Sequence, residues 1–329
     1  MKIIFSAAIF LLASCAALAQ NQVNGPNLNG LFDPSSGVIR RIIGTPGAAH
    51  FGPPIQPGFR IASAIFSPDG RYALAVRDSD RQVFVLSFAS LEPAYSAISG
   101  LVSADGHIVI SPGGAAAAVC IDGCRTIMRL AGLPDSPVAA GTVVFDRVDT
   151  LAIDDNGALL AAAADGAGAS LLYSGKDGAT RVIGHAGSLR GLAISADGNT
   201  GLFADAAAGT LVRIDDLPGA ATFTTIAGAD QGIAGPIGVA ISRSGRLAFA
   251  AMESSIVAVD LTNAAPSTNA TRLDAPCAIT GLDYLAGDAV LRLTADAGAP
   301  LWLFDADSSQ PRFVFVPAPA SAPLPEAIQ

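Results

Sequence analysis

Charge is scarce in this chain. Only 14% of the 329 residues are Asp, Glu, Lys or Arg, and Lys2 and Lys176 are its two lysines. The formal net charge of −9, with no basic stripe to offset it, argues against nucleic acid or anionic lipid as a partner. Glutamate occurs at three positions (Glu92, Glu253, Glu326), histidine at three (His50, His107, His185) and tryptophan at one (Trp302). The sequence contains no G-x-S-x-G elbow, no H-E-x-x-H and no glycine-rich phosphate loop between a strand and a helix. No contiguous motif of nucleophilic, zinc-dependent or nucleotide chemistry is therefore present, and neither a cofactor nor a metal is expected. Past the N-terminus no unbroken apolar run reaches the ~18 residues that a membrane span requires.

What hydrophobicity there is begins at once. Met1-Lys2 supplies a minimal positive region, Ile3 to Leu12 an apolar stretch too short to cross a bilayer, and Ala17-Leu18-Ala19 an A-x-A cleavage pattern before Gln20. This predicts a secretory signal over 1–19 and a periplasmic or secreted bacterial protein. Leu12-Ala13-Ser14-Cys15 overlaps it as a lipobox, in which Cys15 would become a lipidated N-terminus and anchor the chain. Cleavage after Ala19 is the preferred reading, because apolar Ala16–Ala19 would make an odd lipoprotein tether. Three cysteines follow. Cys120 and Cys124 flank Ile121-Asp122-Gly123, a three-residue hairpin loop that sets them opposite one another, so they form either a disulfide in an oxidising compartment or a pair of small hydrophobic strand residues. Cys277 is left as a buried thiol.

One turn returns six times: Phe66-Ser-Pro-Asp-Gly70, Ile110-Ser-Pro-Gly-Gly114, Ile153-Asp-Asp-Asn-Gly157, Ile194-Ser-Ala-Asp-Gly198, Ile241-Ser-Arg-Ser-Gly245 and the degenerate Tyr284-Leu-Ala-Gly-Asp288. Their starts are separated by 44, 43, 41, 47 and 43 residues, the period of a four-stranded propeller blade. Each turn joins an apolar strand to a second strand; a polar hairpin and two further strands complete the unit. Several second strands are rich in alanine (Ala115–Ala118, Ala161–Ala164, Ala248–Ala251), a helical propensity overruled by their shortness and by the need for small residues where blades pack face to face. The expected fold is all-β, a β-propeller of six full four-stranded blades plus an N-terminal half blade at 31–43, the alternative being seven blades closed by that N-terminal hairpin. The propeller would occupy 20–317, and 318–329, rich in proline and alanine, would be a flexible tail.

The segment Phe66-Ser-Pro-Asp-Gly-Arg-Tyr-Ala-Leu-Ala-Val76 resembles the repeat of the bacterial SPDG-type, WD40-like propellers, the broad group containing TolB-like and YncE-like periplasmic proteins. The resemblance covers residues 60 to 317 and implies an exported ring that binds something. Its motif is a turn, in which proline and aspartate preset the bend and glycine takes the positive φ, so it implies no catalytic residue.

Eight residues beyond each turn glycine, or beyond Asp288, stand Asp78, Asp122, Asp165, Glu253 and Asp296, with Asp205 at seven. Every repeat thus puts a carboxylate in the hairpin between its second and third strands. On the loop face of a propeller these could ring the channel mouth and attract a cation or basic partner, or they could be ordinary turn residues. Asp78, Asp80 and Arg81 form the most charged of these hairpins, and His185 with Arg190 is the best local pair among the blade connections. The three histidines fall on the same expected face but on well-separated blades, too far apart to share a metal. The single tryptophan argues against a quinone-cofactor propeller. The leading expectation is a non-catalytic, monomeric propeller that presents its loop face to a protein or glycan partner in the bacterial envelope. The alternative is a lactonase-type hydrolase using Asp78, Asp149, His185 or Arg190 around an axial metal or water.

Overall fold

The computed structural model describes residues 26–89, 93–101, 104, 107–262, 269–294 and 299–319. They form seven antiparallel sheets, here blades 1 to 7, spanning 27–55, 61–97, 108–144, 150–186, 189–227, 238–274 and 283–316. Blades 2 to 7 are four-stranded meanders and blade 1 has three strands. Seven separate apolar clusters each join one adjacent pair of blades, the last linking blade 7 back to blade 1. The molecule is a closed seven-bladed β-propeller. No helix among the described residues is long and apolar enough to cross a membrane.

The expected count of six blades and a half is thereby corrected to its alternative, seven. The half blade at 31–43 is two strands of blade 1; the rest was hidden because the start of its first strand, Asn27–Asp33, carries two asparagines and a glycine, while its third, His50–Ile55, contains Pro53-Pro54. Neither Asn27–Gly30 nor His50–Ile55 reads as a strand by propensity. Nor is the N-terminal hairpin an outer pair: Asn27–Asp33 takes the innermost position, packing on the first strands of blades 2 and 7.

That strand runs opposite to its neighbours. Near its start, Asn29 donates from its amide to the carbonyls of Ser67 (2.9 Å) and Leu285 (2.8 Å), which lie at the far ends of the inner strands of blades 2 and 7. Beyond its end, Gly37 abuts Ile61, where the blade 2 inner strand begins. The reversal follows from parity. A four-stranded blade returns the chain to the face it left, whereas a three-stranded blade must start on the opposite face to deliver it to the same place. No strand is shared across the closing interface. Leu28, Leu31 and Ile42 pack there against Leu285, Val290 and Leu303, with buried Asn29 beside them.

The recurring turn owes its serine to burial. Ser67, Ser111, Ser195 and Ser242 are all buried, and each hydroxyl accepts the backbone N–H at or just before the second strand: Tyr72, Ala116, Thr200 and Leu247, at 3.0–3.1 Å. In the third turn Asp154 stands in for serine and accepts from Ala158 at 2.6 Å. The alanine-rich second strands are indeed strands, Ala117–Ile121, Leu159–Ala164 and Leu247–Met252. Ala117, Ala118, Ala161, Ala248 and Ala250 are fully buried, because a sheet packed on both faces hides alternate residues alike.

Candidate functional site

The hairpins between second and third strands and the connections between blades share one face, the loop face. There the carboxylates are engaged locally. Asp78 pairs with Arg60 (3.5 Å), both exposed. Asp80 is held by Arg77, whose hydrogen bonds bring the Asp80 carboxyl down to about 2. Arg77 in turn lies over the Phe84 ring, 4.7 Å from its centroid. Arg81 takes a left-handed φ of 62° and its Nε donates to the Ala104 carbonyl. Asp122 also sits in the left-handed region, φ 54°, between Cys120 and Cys124, whose sulfurs are bonded with Cα atoms 4.5 Å apart. Cys277 is a free, half-buried thiol.

Farther round the ring, Asp165 accepts from the Ser170 hydroxyl (2.7 Å) and the Ala167 N–H, and meets His185 Nδ1 at 3.2 Å. The Ser170 hydrogen bond leads in holding its carboxyl below the usual range. Asp205 is partly desolvated, but four backbone N–H groups, those of Gly187, Ser188, Ala207 and Ala208, outweigh this and lower its pKa. It thereby fixes the connection from blade 4 to blade 5. Glu253 is exposed. Asp296 and Cys15 lie outside the described residues. Asp80, Asp165 and Asp205 thus build the loops that hold them, which is turn and capping chemistry.

The residues named for axial chemistry do not meet at the axis. Asp149 accepts from Arg147 Nε (2.8 Å) and Ala164 N–H (2.7 Å), Asp78 belongs to blade 2, and none of Asp78, Asp149, His185 and Arg190 lines the central cavity. Among the described residues no three His, Cys, Asp or Glu side chains come together as metal ligands. His50 departs from the expected common face. It opens the third strand of blade 1, and the reversed course of that blade sets it on the turn face.

Two further features could hold a ligand. The first is a cleft of about 490 Å³ between blades 4 and 5, lined by Asp149, Thr150, Gly187, Ser188, Arg190 and Gly191. Arg190 is exposed there; its backbone pairs with Ala204 in the sheet, and its guanidinium makes no hydrogen bond or ion pair with a described residue. Its partner in the sequence reading, His185, turns instead to Asp165. The second is the axial cavity, about 440 Å³, whose lining includes Asp283 and Arg292. Sequence reasoning missed both residues. Asp283 directly precedes the degenerate sixth turn, whose signal marks a bend and not the axis, and nothing in the sequence links Arg292 to the axis.

The chain matches no protein-family model and no curated protein sequence. Among solved structures it is similar to a protein of unknown function from Desulfotomaculum acetoxidans, at TM-score 0.61 and 13% identity over 87% of this chain and 95% of that one. It is also similar to a Kuenenia stuttgartiensis hydrazine synthase chain, at TM-score 0.54 and 13% identity over 90% and 97%. At such identity the likeness is one of fold.

Proposed function

We propose that this chain is an exported propeller of the SPDG type, related to the YncE-like and TolB-like group, which binds a protein or glycan partner of the bacterial envelope through its loop face. The observation that carries this reading is Arg190, an exposed and unengaged guanidinium in a concave cleft whose walls are fixed by Asp149 and Asp205. A planar guanidinium in a rigid surround suits a carboxylate, whether an acidic side chain or a sugar acid. Because the surrounding loops are already tied down by their own hydrogen bonds, little ordering would be lost on binding.

The test is cross-linking and affinity capture of the native mature protein from envelope extract, compared with Arg190→Ala. One dominant partner, depleted at least tenfold by the substitution, is the expected result, and its chemistry separates protein from glycan. Equal recovery with both proteins, or no partner with either, would overturn the reading.

A further inference from the structure

The axial cavity has the size of a small-molecule site, about 440 Å³. Its walls are the inner strands, which present Ile, Leu and Val side chains, while Ala64, Ala152, Ala193 and Ala240 are too small to fill the lumen. The charged side chains that line it are Asp283 and Arg292. They are cross-strand partners in blade 7, Asp283 in its first strand and Arg292 in its second, on the loop-face side of Leu285. The turn-face end is bordered by Pro68 and Pro112 of the recurring turns. The lumen is thus lined mainly by apolar side chains, and the one charged pair among its lining residues is Arg292 with Asp283. The Arg292 side chain is 19% exposed, and its partner carboxylate on Asp283 is 56% exposed. Asp283 can turn to water while another anion takes the guanidinium, with no charge left buried and unpaired.

We propose that this cavity binds an elongated apolar molecule with one anionic head, its tail along the axis and its head on Arg292; alkyl carboxylates represent the class. The site is separate from the Arg190 cleft, so either can fail without the other.

The experiment is isothermal titration of the full mature protein with decanoate and, as the neutral counterpart, 1-decanol. The expected result is one saturable site per chain that prefers decanoate, with Arg292→Gln weakening decanoate about tenfold and leaving decanol unchanged. Ala193→Trp, which fills the lumen, should abolish both; Ala152→Phe fills it from another blade and serves if Ala193→Trp does not fold. Absence of saturable decanoate binding, or binding that survives a folded lumen-filling variant, would overturn the site. Equal affinity for decanoate in the native and Arg292→Gln proteins would overturn the assignment of the head group.

Discussion

Ser67, Ser111, Ser195 and Ser242 show how a turn motif can carry a requirement that its geometry conceals. Proline, aspartate and glycine are readable from turn preferences alone, but the serine matters because it is buried and caps the next strand. Asp154 does the same work with a charge, and burial pushes its carboxyl above the usual range. A carboxyl raised in the folded state weakens the fold as pH rises, since the unfolded chain releases its proton first. Asp154→Ser should therefore gain melting temperature relative to the native chain between about pH 4 and neutrality. Thermal unfolding across that range checks this; a difference that does not change with pH would show that the carboxylate carries no penalty.

At the scale of elements, the alanine-rich second strands were legible because their length and bracketing turns outweighed propensity. The first strand of blade 1 was not. Asn27-Leu-Asn-Gly-Leu-Phe-Asp33 is held in the inner position by its neighbours, and Gly30 is required there because a Cβ would run into the Phe66 ring. Asn29 ties this strand to both flanking blades. Asn29→Ala removes one donor from each of two carbonyls, of which that of Ser67 keeps the Gly70 N–H, and a loss of about 1–3 kcal/mol is expected from the cost of an unsatisfied buried group. Urea denaturation checks it. A change below about 0.5 kcal/mol would mean that the apolar cluster alone closes the ring.

Over the whole molecule, the proposed export has its own test. Intact mass of the protein recovered from an expressing bacterium should correspond to a chain starting at Gln20, whereas a diacylated chain starting at Cys15 would make it an anchored protein. The ring itself was determined by the sequence, since a repeat of roughly one blade length with no helical punctuation has few other solutions. So was the presence of a carboxylate beyond the turn of each of the six repeats. Tertiary structure alone decided that there are seven blades, that the first runs backwards, that Asp80, Asp165 and Asp205 secure their own loops, and that a cavity lined mainly by apolar side chains remains along the axis. The reason is physical. A repeat records contacts within a few residues of one another, but ring closure, strand direction and cavity lining arise between residues hundreds of positions apart, such as Asn29 and Leu285.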